Sequence, residues 1–192
     1  MSLVTIVMGS KSDLASLKGA FDTLKQFGVP FRARILSAHR TPDEAADLAK
    51  NAAAEGTKVF ICAAGMAAEG TKVFICAAGM AAHLAGVIAA HTTLPVIGIP
   101  MASAPFNGLD SLLAMVQMPP GIPVATVTAG SAGGKNAALL AVEMLALSDA
   151  ALAAKLKDFR KEQADKVLAD DAALQESLDP EKSGTFVVQP FL

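Results

Sequence analysis

Leu3-Val-Thr-Ile-Val-Met8 is an almost unbroken run of β-branched and apolar residues, and it passes straight into the polar stretch Gly9-Ser-Lys-Ser-Asp13. A run without hydrophobic–polar alternation belongs to a parallel strand buried on both faces. Beyond it Leu14, Leu17, Phe21, Leu24 and Phe27 recur at helical spacing, and Gly28 followed by Pro30 supplies the stop. The first unit therefore reads strand, short polar loop, helix. The next repeats it. Phe31 to Ser37 is a second strand, and Thr41-Pro-Asp-Glu44 is a capping box with Pro at the first helical position, opening a helix through about Ala54.

Further along, Leu84 to His91 reads as a helix and Pro95 to Pro100 as a short buried strand. Asn107 or Asp110 opens a helix through Gln117, and Pro119-Pro-Gly121 turns the chain into a strand from Pro123 to Thr128. Asn136 to Ala146 carries no bulky polar residue except Glu143 and reads as a buried helix. Strands alternating with helices predict an α/β fold, a doubly wound parallel sheet of about five strands. From Ser148 the composition shifts: Leu152, Leu156, Phe159 and Val167 form one stripe among charged residues, an amphipathic helix. The expected organisation is one domain over residues 1–168 and a tail over 169–192, whose apolar end either docks on a neighbour or stays disordered.

One feature breaks this regularity. Residues 53–66, Ala-Ala-Glu-Gly-Thr-Lys-Val-Phe-Ile-Cys-Ala-Ala-Gly-Met, recur without change as residues 67–80. The period is too short for a solenoid repeat and occurs only here, so it reads as a local tandem duplication of one strand with its approach and exit. One copy fills a given place in the sheet, and the other is expected to loop out, to form a hairpin across Gly65 to Gly70, or to extend an edge. Only the second copy is followed by a histidine, His83; Glu69 stands at the equivalent place after the first. The second copy is therefore expected to hold the functional position.

Composition narrows the function. Hydrophobic residues make up 53% of the 192-residue chain, aromatic residues only 5% with no Trp or Tyr, and the formal net charge is −2. There is no positive field to draw in nucleic acid or anionic lipid. Between Lys72 and Lys135 the only charged side chain is Asp110. Val73 to Ala90 is about the minimum length for a membrane span, yet Gly79, His83 and Gly86, then Pro95 and Pro100, cut the region into strand- and helix-length pieces. So much uncharged chain in one small domain implies a subunit interface, hence a homo-oligomer. Cys62 and Cys76 are one position of the repeat occurring twice, with no metal-ligand spacing around them, and read as buried free thiols. Met-Ser-Leu-Val-Thr at the start has neither the basic segment nor the cleavage site of a signal peptide, so the expected location is cytoplasmic.

Ligands of an open α/β sheet sit outside the carboxyl ends of its strands, which gathers three loops: Gly9 to Asp13, Ser37 to Thr41, and Gly79 to Leu84. The first offers helix N-terminal amides with the hydroxyls of Ser10 and Ser12, an arrangement suited to a phosphate; an ordinary Ser or Asp helix cap uses the same residues. It lacks the glycine pattern of an ATP or NAD loop. Arg40 could add a second phosphate contact, and Asp13 is placed to bind sugar hydroxyls. His39 titrates near neutral pH and is the first candidate general acid or base; His83 is the second, and His91 reads as a helix-end cap.

Several motifs together carry a resemblance. Met8-Gly-Ser-Lys-Ser-Asp13, Ser37-Ala-His-Arg-Thr-Pro42, Ala81-Ala-His-Leu84, Asp110-Ser-Leu112, Val116-Gln-Met-Pro119 and Lys135-Asn-Ala-Ala-Leu-Leu140 stand in the order found in the PurE family. The chain from about residue 3 to 168, less one copy of the repeat, resembles the 5-(carboxyamino)imidazole ribonucleotide mutases of purine biosynthesis. The Ser-Ala-His-Arg-Thr and Ala-Ala-His-Leu forms resemble the bacterial mutase class rather than the class that carboxylates aminoimidazole ribonucleotide with free CO2. The resemblance implies a three-layer flavodoxin-like fold, a homo-octamer, no cofactor and no metal. It assigns catalysis to His39, the ribose phosphate to Ser10, Asp13 and Arg40, and the base and carboxylate region to Ser12, Ser37, Gly79, Ala82, His83 and Leu84. A direct carboxylase, and a folded but inactive relative impaired by the duplication, are the alternatives. Ala77, Met80 and Ala85 stand where the family more often has Gly or Pro, which alters the expected backbone path of the third loop.

Overall fold

In the computed structural model the chain forms two compact units, Met1–Leu152 and Ala153–Leu192. The structure describes residues 4–8, 11–35, 41, 43, 44, 46, 47, 50, 59–63 and 73–178. The first unit holds a six-stranded parallel sheet. Its strands are β1 (Val4–Met8), β2 (Phe31–Ile35), β3 (Val59–Ala63), β4 (Phe74–Ala78), β5 (Val96–Pro100) and β6 (Ala125–Thr126). The helices are α1 (Lys18–Phe27), α2 (His83–His91), α3 (Leu109–Val116) and α4 (Ser131–Ala146), and a 3-10 turn, Lys11–Leu14, precedes α1. The described positions between 43 and 50 are helical as well. This is the expected alternation of strand and helix.

Burial follows the composition. β5 is inaccessible over all five residues, and Phe74, Ile75 and Cys76 of β4 are 0% exposed, as uninterrupted apolar strands require. Phe74 and Cys76 form a core cluster with Leu84, Ala85, Ile88, Val96 and Met115. The other side of the sheet is covered by small residues. On α4 the buried face is Gly133, Gly134, Ala137, Ala138, Ala141, Val142 and Leu145. A Cβ on Gly134 would stand 2.9 Å from the carbonyl oxygen of Ser16, so only glycine lets the helix come that close to the chain entering α1. Gly28 ends α1 in the left-handed conformation (φ 69°), as its position after Phe27 predicts. His91 closes α2, its Nδ1 donating to the carbonyl of Val87 at 2.8 Å, the expected capping role.

The strand count is six rather than the expected five, because both copies of the repeat are strands. The order is β2-β1-β3-β4-β5-β6, with β1 also pairing β4. The first copy is neither looped out, nor half of a hairpin, nor at an edge. It lies inside the sheet, parallel to the second copy, Phe60 opposite Phe74 and Cys62 opposite Cys76. Val4, Thr5 and Ile6 of β1 pair with Val59, Phe60 and Ile61 of the first copy, while Val7 and Met8 pair with Cys76 and Ala77 of the second. Consecutive residues of β1 thus meet consecutive positions of the repeat, taken first from one copy and then from the other. Identical sequences satisfy β1 in an identical register, so the place beside it is divided rather than won by one copy. At the amino half β1 neighbours β3; at the carboxyl half it neighbours β4.

The second unit contains most of a long helix, α5 (Ala150–Leu178). Asp149 caps its start, its Oδ1 accepting from the amides of Ala151 and Leu152 at 3.0 and 3.1 Å. The helix continues past residue 168 to Leu178, through Ala, Leu, Gln and Glu residues that favour it. No helix among the described residues is long and apolar enough to cross a membrane.

Candidate active site

Met8 closes β1 opposite Ile35 of β2 and Ala77 of β4. The carboxyl ends of β2, β1 and β4 therefore stand side by side, spread over two strand spacings, about 10 Å. A small molecule can touch all three. Division of the place beside β1 preserves this: the inserted strand separates β1 from β4 only in the amino half.

After β1 the chain winds through the 3-10 turn into α1, and the amide of Leu17 donates to the carbonyl of Asp13 at 3.2 Å. Asp13 is half-buried here, and Ser12 contributes its backbone to the same turn. Ser10 of this loop, and Ser37, His39 and Arg40 of the loop after β2, lie outside the described residues. Thr41, which ends that second loop, is half-buried.

The third loop is described throughout. Gly79 is half-buried, Met80 and Ala82 take positive φ (55° and 40°), and the amide of Ala82 donates back to the carbonyl of Gly79 at 3.1 Å, closing a tight turn. Met80 adopts the left-handed backbone that glycine would favour. His83 opens α2 with its side chain exposed. Ala82 caps α2 without a side-chain hydrogen bond. Ala82 and Leu84 are 4% and 2% exposed, and Leu84 lies in the core cluster. What Leu84 can offer a ligand is thus its amide rather than its side chain.

A fourth segment, after β5, was not among the loops that the motifs gather. Ser103 Oγ accepts a hydrogen bond from the amide of Met80 at 3.1 Å, tying this segment to the third loop. Ser111 is completely buried, its Oγ within 3.0 Å of the carbonyl of Met101 and 2.9 Å of that of Gly108. The available signal was a polar Ser103 in the otherwise apolar run Pro100 to Pro105 and the Ser of Asp110-Ser-Leu112. Oδ1 of Asp110 is buried with no hydrogen-bond partner among the described residues. The stretches 79–84 and 101–108 contain no Asp, Glu, Lys or Arg, so this rim is low in charge. Among the described residues no three His, Cys, Asp or Glu side chains gather in a way that could hold a metal ion.

A cavity of about 980 Å³ opens elsewhere, lined by His91, Leu94, Val96, Ile122 and Ala125 among others. Those residues stand where β5 and β6 begin, at the amino edge, whereas the motif-bearing loops stand where strands end. The turn from Gly79 to Ala82 and the start of α2 follow the carboxyl end of β4, and the site is assigned to that edge.

Comparison with known proteins shows the family. The family model described as AIR carboxylase matches residues 3–70 and again 67–166, breaking where the second copy of the repeat begins. The chain is 51% identical over 164 residues to the N5-carboxyaminoimidazole ribonucleotide mutase of Brucella melitensis, covering 85% of this chain and 93% of that protein. To the Escherichia coli K12 protein of the same description it is 47% identical over 165 residues, covering 86% and 89%. The crystal structure of Treponema denticola PurE superposes with a TM-score of 0.74 at 31% identity, over 91% of this chain and 99% of that one.

Proposed function

The chain belongs to the AIR carboxylase family, and from that premise we propose that it is the mutase that converts 5-(carboxyamino)imidazole ribonucleotide to 4-carboxy-5-aminoimidazole ribonucleotide in purine biosynthesis. The observation that supports the reading from family to site is the pairing of Met8 with both Ile35 and Ala77, by which the carboxyl ends of the three strands that precede the motif-bearing stretches are side by side despite the duplication.

In this reading the ribose phosphate is held by Ser10, Asp13 and Arg40, and the base and carboxylate by Ser12, Ser37, Gly79, Ala82, His83 and Leu84. The bond between the exocyclic nitrogen and the carboxylate carbon breaks, releasing CO2 and leaving its electron pair on nitrogen, which takes up a proton. The ring carbon then attacks the trapped CO2 and gives up its proton to His39, which acts as general acid and base. CO2 escapes unless the pocket is closed and dry, and the charge-free stretches 79–84 and 101–108 support such a pocket. The catalytic domain is residues 1–168, with 169–192 outside it.

The same reading makes the protein a cytoplasmic homo-octamer. Leu109, Leu112, Leu113 and Val116 recur at helical spacing along α3, and all four are exposed, as is Phe106 just before them. A stripe of this kind supports a face covered by another copy of the chain.

The test is turnover of purified protein with 5-(carboxyamino)imidazole ribonucleotide, and separately with aminoimidazole ribonucleotide plus bicarbonate. Turnover of the first substrate at low bicarbonate is expected. Turnover of the second pair alone would make the protein a direct carboxylase. Folded protein silent in both would make it an inactive relative, and recovery of activity on deleting residues 67–80 would then place the fault in the repeat.

A further inference from the structure

We propose that Ser103 is a positioning residue that latches the turn carrying His83, a role that rests on the mutase reading and extends it to the segment after β5. Met80 and Ala82 are both non-glycine residues at positive φ within one four-residue turn. L side chains resist that backbone, so such a turn persists only where neighbouring structure over-determines it. Met80 is not held by packing, its side chain being 64% exposed. Two hydrogen bonds hold its backbone: that of the Ala82 amide to the Gly79 carbonyl within the turn, and that of its own amide to Ser103 Oγ, 3.1 Å long, which alone ties the turn to a segment 23 residues away.

Ser103 can act as a latch because its own segment is anchored. The amide of Met101 donates to the carbonyl of Ala78 at 3.0 Å, continuing the ladder one residue beyond β5. The buried hydroxyl of Ser111 reaches the carbonyls of Met101 and Gly108, at the two ends of the 101–108 segment, and pins it at both. Gly108 itself is at φ 88°, and a Cβ there would fall 3.0 Å from Cα of Ala102. On the other side, a Cβ on Gly79 would stand 3.2 Å from Ser103 Oγ and 3.4 Å from the carbonyl of Met101. Glycine at 79 spares this close approach a Cβ that would crowd Ser103 Oγ. A rotation at Met80 would swing Ala82, His83 and the first amides of α2 together, so the bond fixes the groups assigned to the substrate without touching it.

Two measurements test this. Hydrogen exchange read by mass spectrometry on peptides covering 79–84 should speed up in Ser103→Ala while peptides of β4 and β5 keep their protection. In the same variant kcat/KM should fall about tenfold, the size of one lost hydrogen bond, with the thermal midpoint little changed. Adding Met80→Gly to Ser103→Ala should recover most of that loss, because glycine holds positive φ without a latch. Unchanged exchange at 79–84 overturns the proposal. So does a loss of kcat/KM that Met80→Gly leaves in full, and so does a lowered thermal midpoint with kcat/KM intact, which would make Ser103 merely structural. If the wild-type protein turns over neither substrate, the mutase reading fails on its own account, and the exchange comparison alone decides whether Ser103 holds the turn.

Discussion

Phe74→Ala discriminates between a six-stranded sheet and a five-stranded one with a spare strand. Phe74 is 0% exposed in the core cluster, and truncating a buried Phe to Ala costs about 3 to 5 kcal/mol. Against a total stability of about 5 to 15 kcal/mol this is a large loss. The chain, however, carries a second copy of the same strand in the same register against β1. If the first copy could simply replace β4, the cost would be that of extruding the 14-residue second copy as a loop, roughly 1 to 2 kcal/mol on a logarithmic loop-length scale. In the six-stranded sheet the exchange costs more. It gives up a whole internal strand, including Ile75 and Cys76 at 0% exposure, and its pairing with β5 over five residues. The expected loss is therefore the full 3 to 5 kcal/mol of a core truncation. With no Trp or Tyr in the chain, urea unfolding is followed by far-UV circular dichroism, at fixed protomer concentration so that assembly contributes equally. Phe60→Ala is the matched control, the same change in the same local sequence, so that effects on the unfolded chain cancel in the difference. A loss at Phe74 of only about 1 to 2 kcal/mol, equal to that at Phe60, would refute the reasoning and make the copies interchangeable.

His39→Asn should lower kcat by about 10² to 10⁴ with far-UV circular dichroism unchanged, the range lost with a general acid–base group; a smaller effect would move that role to His83. Leu109→Glu with Leu113→Glu places two charges on the exposed stripe of α3 and should lower the sedimentation coefficient while the helix content stays the same. A wild-type protein that already sediments as a monomer would remove the oligomer reading. Lys18 donates a hydrogen bond to Asp22 across one helical turn and holds its carboxyl below the ordinary 3.8. Because the folded value is the lower one, the pair's contribution is present above the ordinary value and lost as pH falls through the depressed one. Both side chains are exposed, so Asp22→Asn should leave the melting temperature at neutral pH and high salt nearly unchanged and show any effect only on the acid side.

The fold was legible because its signals are redundant. β1, β5 and the helix stops at Gly28 and His91 are each marked by an apolar run or a terminator, and tertiary packing had only to agree with them. The first copy of the repeat was not legible for a related reason. Whether a strand is internal or extruded depends on which neighbour offers it a matching ladder, and two identical strands beside one β1 present identical local patterns. Only the register shows that the pairing passes from Ile61 to Cys76 between Ile6 and Val7. The candidate site was legible as loop positions, since Ala81-Ala-His-Leu84 marks the turn into α2, and silent on contacts between segments far apart in sequence. The local signal for Ser103, one polar residue in the apolar run Pro100 to Pro105, does not name its partner. Its role comes from the positive φ of Met80, a residue 23 positions earlier, and from the anchoring of its segment by Ser111. The positive φ of Met80 and the hydroxyl of Ser103 meet in one hydrogen bond, and a substitution at either end tests the other. The bond joins the turn after β4 to the segment before α3, residues 23 apart, so no local window of sequence contains both partners.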